Sequence, residues 1–304
     1  MTARATRFGR QVLHGLSQCA FQANAVTGAV FVVAVALFNL RMSATYLLAT
    51  IIGTLTARVL RAPEDLLDAG LLGFNSALTG LALGHFFQPA ILVWVWVCIF
   101  AAVSAALTVL MMKLLPFPFL AVPFILIFWL MWPIAGSIGL TKIDFGAFPE
   151  ADVMWTTATA SALGSALFSP SAISGVVFLA GIAISDWRHA VVALVGSFVA
   201  VALAEHAGAL GGAINSGFVG FNGVLAALAA YVIVARDLRL VVFAAIAATW
   251  LASYVYRGVP VPVLASGFLL SIWGILLLAW LNPRFNAQGG TERSQCARDQ
   301  ISRA

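Results

Sequence analysis

The sequence predicts an all-α polytopic membrane protein built from two inverted repeats, each with five transmembrane helices and one re-entrant pore helix. Three observations predict it: the composition, a self-match at a nearly fixed offset, and the placement of charge. Of 304 residues, 62% are hydrophobic and 9% are charged, whereas soluble domains carry roughly 25% charge. The mean hydropathy is +1.02. The apolar runs are continuous, not the alternating short segments of a β-barrel, so helices are expected.

In the first half the apolar segments run over 11–22, 24–40, 44–60, 69–87, 90–112 and 117–135; in the second, over 158–169, 172–185, 190–204, 214–234, 240–256 and 261–281. The expected organisation is a basic tail (1–10), a first repeat (11–140), an inter-repeat loop (141–157), a second repeat (158–282) and a basic tail (283–304). The first ten residues carry Arg4, Arg7 and Arg10 but no short apolar core followed by a cleavage site, so no removable signal peptide is expected.

The repeat can be followed residue by residue. Phe21, Ala25, Gly28, Val30 and Phe31 recur 147 positions later as Phe168, Ala172, Gly175, Val177 and Phe178. Gly73-Phe74-Asn75-Ser76-Ala77-Leu78 recurs at the same offset as Gly220-Phe221-Asn222-Gly223-Val224-Leu225. Pro116, Pro118, Leu120, Ala121, Phe124 and Trp129 recur at 144 as Pro260, Pro262, Leu264, Ala265, Phe268 and Trp273. In the doubled Gly-Phe-Asn stretch, Phe and Leu four residues apart share a helical face, and the leading glycine admits a neighbouring backbone. A helix-packing seam would use the same residues.

Charge sets the expected orientation. Arg4, Arg7 and Arg10 at one end and Arg284, Arg293, Arg298 and Arg303 at the other place both termini in the cytoplasm. The middle stretch Thr141–Asp152, with Asp144, Glu150 and Asp152 against Lys142, favours the outside. Each half then crosses an odd number of times, which five crossings and one re-entrant segment satisfy. Two such halves must be inverted. Arg236 and Arg239 fall outside in this arrangement, partly offset by Asp237. Two kinds of segment compete for the re-entrant role. Residues 11–22 and 158–169 fall short of the roughly 20 needed to span, and Pro116/Pro118 and Pro260/Pro262 interrupt the last segment of each half. Broken segments at matched places in two halves point to a transport pathway.

Function classes are narrowed by what the spans lack. Asp186, Arg188, His189, Glu205, His206, Arg58, Arg61, Glu64, Asp65 and Asp68 lie in connections, and His14 and His85 near segment ends. Ion-coupled carriage needs ionisable groups within the spans, and no catalytic constellation of nucleophile, base or paired carboxylates lies there. Cys19, Cys98 and Cys296 share no metal or disulfide spacing. No cofactor, metal or nucleic acid is expected, and the chain is not expected to be an enzyme. What remains is a passive route for a small neutral solute in the bilayer, or a structural bundle. Gln18 with Phe21, and Ser165 with Phe168, stand three residues apart; on a helix each polar group would share a face with its ring and suit a flat hydrogen-bonding molecule. Gln18 as an interhelical hydrogen-bonding residue is the competing reading.

Taken together, these residues resemble the urea transporter family from about Leu16 to Trp280. The resemblance implies a duplicated, inverted ten-helix fold with two re-entrant pore helices in the inner (plasma) membrane, usually a homotrimer with one pore per protomer. It implies passive conduction of urea through a flat slot lined by Phe74, Leu78, Phe221 and Leu225. Binding sites would involve Gln18 with Phe21, and Ser165 with Ala166 and Phe168, with ladders of backbone oxygens between. The family's proline motif, LPxxTxPF, reads Phe117-Pro118-Phe119-Leu120-Ala121-Val122-Pro123-Phe124 and Val261-Pro262-Val263-Leu264-Ala265-Ser266-Gly267-Phe268. Ala121 and Ala265 stand where that motif has threonine, and Ser165 where a Glu or Gln is expected. The alternative is a facilitator of the same fold for a short amide, ammonia or water.

Overall fold

The computed structural model describes residues 2–258 and 261–281. Pro260, Cys296, Arg284, Arg293, Arg298 and Arg303, and with them the basic C-terminal tail, lie outside the described residues. Fourteen α-helices run through the described chain. In the first half they are α1 (Thr2–Ser17, closed by a 3-10 turn, Gln18–Ala20), α2 (Ala25–Phe38), α3 (Leu40–Val59), α4 (Glu64–Asp68), α5 (Phe74–Phe86), α6 (Ile91–Leu114) and α7 (Val122–Met131). In the second they are α8 (Trp155–Ser165), α9 (Ala172–Ser185), α10 (Trp187–His206), α11 (Gly211–Asn215), α12 (Phe221–Ala229, prolonged by a π-helical turn, Ala230–Val234), α13 (Leu238–Gly258) and α14 (Ser266–Leu281). Among the described residues no strand forms; Phe87 and Lys142 make one isolated bridge.

The boundaries of α2, α3 and α4 recur 147 positions later as those of α9, α10 and α11. α5, α12, α6 and α13 keep the same offset at their starts, and α7 and α14 start 144 apart. The three residues are therefore lost between the starts of α13 and α14. Local chemistry explains matched boundaries. Asn39 caps α3 by accepting from the Met42 N–H at 3.1 Å, and Asp186 caps α10 by accepting from Arg188 N–H at 2.8 Å. Pro123 sits in the first turn of α7, where its missing N–H is harmless.

α3, α6 and α10 are long and apolar enough to cross a bilayer. α1 and α2 qualify only together, and they meet at a bend of 68°. The helices over Val122–Met131, Ala172–Ser185, Phe221–Val234, Leu238–Tyr254 and Ser266–Leu281 are apolar but shorter. Val95, Ile99, Val103 and Leu110 form an exposed apolar stripe along one side of α6, a face suited to lipid. The protein is thus an all-helical, membrane-embedded bundle.

α1 begins at Thr2, inside the stretch expected to be a basic tail. One of its arginines is matched to two acids: Arg7 Nε donates to Asp68 Oδ1 at 2.9 Å, and its Nη2 lies 3.0 Å from Glu64. That pairing lets a charged segment continue the helix. The Arg7 guanidinium holds the Asp68 carboxyl down at about 2, helped by the Gln11 amide against partial burial.

The halves meet along α2 and α9. Matched Phe31 and Phe178 lie ring to ring at 4.7 Å, and Thr27 Oγ1 donates to the Gly181 carbonyl at 2.8 Å. The counterpart of Thr27 is Ser174, whose buried hydroxyl has no partner among the described residues. Close crossings depend on glycine: a Cβ at Gly28 would sit 2.0 Å from the Leu13 carbonyl oxygen, and one at Gly175 1.7 Å from that of Ala160.

Candidate functional site

The doubled Gly-Phe-Asn stretch opens α5 and α12, with Gly73 and Gly220 as the capping residues. A Cβ at Gly220 would meet that of Ala162 at 2.7 Å, and one at Gly73 would meet Thr54 Oγ1 at 3.0 Å. The glycines therefore do admit close neighbours. Phe221, Leu78 and Leu225 are buried and Phe74 is partly so.

Asparagine is the motif's working residue. Asn75 Nδ2 donates to the Leu120 carbonyl at 3.2 Å, and its Oδ1 accepts from the Phe124 N–H at 3.3 Å. Asn222 does the same to Leu264 at 3.0 Å and Phe268 at 2.9 Å. Each amide clamps the turn that leads into α7 or α14. Those turns are strained: Leu120 and Leu264 adopt φ of 51° and 49°, a left-handed conformation that costs a residue with a Cβ about 1–2 kcal/mol. Ala121 and Ala265, both buried, follow directly. A role for the asparagines was missed in the sequence, although a buried amide must find several partners and so signals a turn to hold.

The polar residues are placed differently from expectation. Gln18 opens the 3-10 turn and Ser165 ends α8, while Phe21 and Phe168 lie beyond the helices at φ of 60° and 55°. The backbone reversal ends the shared helical face predicted for each pair. Gln18 Nε2 donates to the Ala69 carbonyl at 2.8 Å, and Ser165 Oγ to the Ser216 carbonyl at 3.1 Å. Ala69 and Ser216 are themselves matched at the 147 offset. The shorter serine therefore makes the equivalent bond, and Ala166 lies buried beside it.

The two left-handed phenylalanines cross between halves. Phe21 meets Phe268 edge-on at 5.9 Å, and Phe168 meets Phe124 edge-on at 6.1 Å. The tryptophans cross as well: Trp129 Nε1 donates to the Pro262 carbonyl at 2.8 Å, and Trp273 Nε1 to that of Pro118 at 2.9 Å. In each case a residue of one half contacts a second residue of the other, and their counterparts return the contact. Among the described residues no cluster of three metal-ligating side chains forms.

Against known protein families, residues 10–280 match the urea transporter family. The chain belongs to the urea transporter family. This is a family of transporters, not of enzymes, and it implies urea as the solute of this member. In this urea transporter family member, the matched region takes in the Asn75 and Asn222 clamps, the Phe21–Phe268 and Phe168–Phe124 pairs and both tryptophan hydrogen bonds.

Proposed function

We propose that the protein conducts urea passively, down its gradient, through a slot between its two halves. The observation that carries this reading is the reciprocal pairing of Phe21 with Phe268 and Phe168 with Phe124 within a chain of this family. Reciprocal contacts between counterparts are the mark of a two-fold relation. Applied to two repeats that each cross the membrane an odd number of times, it makes the second the inverse of the first. The repeats are taken as 11–140 and 158–282, joined by 141–157. The 68° bend supports α1, and by correspondence α8, as the re-entrant elements.

Phe74, Leu78, Phe221 and Leu225 then form the walls of the slot, with Ala121 and Ala265 at its narrowest point. Gln18 with Phe21 and Ser165 with Ala166 and Phe168 mark its two mouths. The Gln18 and Ser165 donors are committed to carbonyls, so they shape the mouths while the Gln18 amide oxygen remains to accept from urea N–H groups. Flat walls and few acceptors suit a flat neutral molecule that sheds its water in stages. The protomer is read as one of three in a homotrimer in the inner (plasma) membrane, termini cytoplasmic, surrounded by lipid.

The test is a solute panel in liposome swelling. Phe74→Ala with Phe221→Ala should widen the slot, raising flux of bulkier amides relative to urea. A selectivity unchanged from wild type, with the variant intact, would contradict the slot.

A further inference from the structure

We propose that His189, in the second repeat, is a positioning residue for the mouth at Phe21, acting through a hydrogen bond to the Gln22 side chain. The inference rests on the urea-channel reading above, which places Phe21 at a mouth of the slot. Phe21 is left-handed at φ 60°, and the next residue braces that turn: Gln22 Nε2 donates to the Ala20 carbonyl at 2.8 Å. Ser169 does the same in the second repeat, its Oγ donating to the Leu167 carbonyl at 3.1 Å beside the left-handed Phe168. Leu167 and Ser169 are the counterparts of Ala20 and Gln22 at the 147 offset. The two braces differ in one respect. The longer Gln22 side chain carries a second polar atom, its Oε1, and His189 Nδ1 lies 3.1 Å from it.

Donor and acceptor follow from the partners. The Ala20 carbonyl can only accept, so the Gln22 nitrogen faces it and the Gln22 oxygen faces the imidazole, whose Nδ1 therefore carries the proton and donates. Gln22 is 2% exposed, so removing that donor leaves a buried oxygen short of its partner. His189 is well seated for the task. Asp186 caps α10 through the Arg188 N–H, which fixes the first turn where His189 stands, and the Tyr231 ring meets the imidazole edge-on at 5.8 Å. Tyr231 lies in the π-helical turn Ala230–Val234, a local widening of the kind found at functional places. The counterparts of His189 and Tyr231 are Met42 and Gly84, packed so closely that a Cβ on the glycine would stand 3.0 Å from the Met42 Cγ. Apolar packing in the first repeat thus occupies the place where the second sets a donor against an aromatic ring. The Phe21 turn is tied to the opposite repeat at Gln22, a tie that Met42 cannot make at Ser169. Its effect is to keep Phe21 left-handed and its ring against Phe268.

The experiment measures urea and acetamide flux in proteoliposomes for wild type, His189→Ala, His189→Asn, His189→Gln, Gln22→Ser and the double variant His189→Ala with Gln22→Ser, at equal reconstituted density and with thermal melting recorded for each. Asparagine sets an amide N–H where the Nδ1–H stands, and glutamine sets one nearer Nε2. His189→Ala should lower the urea-to-acetamide flux ratio roughly two- to tenfold; His189→Asn should restore most of it and His189→Gln should not. Gln22→Ser, which copies the second repeat's brace, should shift the ratio as far as His189→Ala, and the double variant no further. A ratio unmoved in His189→Ala and Gln22→Ser while wild type conducts urea, even with melting lowered, would overturn the assignment and leave the channel reading standing. So would shifts that add in the double variant, or a ratio restored by glutamine as well as by asparagine. No urea flux through wild type would overturn both.

Discussion

Asn222 holds Leu264 in place: its side-chain amide donates to the Leu264 carbonyl at 3.0 Å and accepts from the Phe268 N–H at 2.9 Å, bracketing a left-handed leucine. A backbone that would otherwise relax is pinned where α14 begins. Replacing Asn222 with alanine leaves two backbone groups unsatisfied in a buried site, at about 1–3 kcal/mol each. Thermal melting in detergent should fall clearly, and urea flux with it. Asn75→Ala should cost less, because its two bonds are longer, at 3.2 and 3.3 Å.

Gly28 and Gly175 mark the closest helix crossings. Alanine at Gly175 would drive its Cβ to 1.7 Å from the Ala160 carbonyl oxygen, a backbone atom with little room to move. Overpacking of this kind costs about 1–3 kcal/mol or more. Gly175→Ala should reduce the yield of monodisperse protein on size-exclusion chromatography. Gly274→Ala, where a Cβ would meet nothing within 4 Å, serves as the silent control.

Arg61 is left-handed at φ 53°, while the matched position in the second half is Gly208 at φ 71°. Glycine removes a left-handed cost of about 1–2 kcal/mol and gives back about 0.4–1 kcal/mol through the freer unfolded chain. Arg61→Gly should therefore be neutral to slightly stabilising in a melting assay, and Gly208→Arg destabilising.

Acid should probe the Arg7–Asp68 pair. The hydrogen bond from Arg7 depresses the Asp68 pKa to about 2 from a reference value of 3.8. A carboxylate depressed in the folded state adds stability that is complete above its unfolded pKa and is lost as pH falls through the folded value. Its contribution to stability should thus fade between about pH 4 and pH 2. In Asp68→Asn that component should vanish from the pH profile. The matched residue is Asn215, which donates to the Asp152 carbonyl at 2.9 Å, so asparagine fits this place in the fold.

Much of the architecture was legible in the residues. The 147 offset, traced through Phe21 and Phe168, Gly28 and Gly175, and the doubled Gly-Phe-Asn stretch, reappears in the helix boundaries, and the drift to 144 falls between the starts of the last two helices of each half. What escaped reading broke local rules. Phe21, Phe168, Leu120 and Leu264 carry side chains in a conformation that favours glycine, and nothing in their identity announces it. A face shared by Gln18 and Phe21 was expected because helical spacing was assumed where the chain reverses. The start of α1 at Thr2 was hidden because its arginines look like tail until Asp68 and Glu64, more than 50 positions away, are brought to Arg7. Such exceptions gather at strained or functional places.

The most direct measurement is uptake of labelled urea into proteoliposomes containing the wild-type protein, with and without proton and sodium gradients. A passive slot predicts rapid uptake that saturates only at high urea concentration and is unchanged when either gradient is collapsed. Uptake that disappears with a collapsed gradient, or that never exceeds protein-free liposomes, would contradict it.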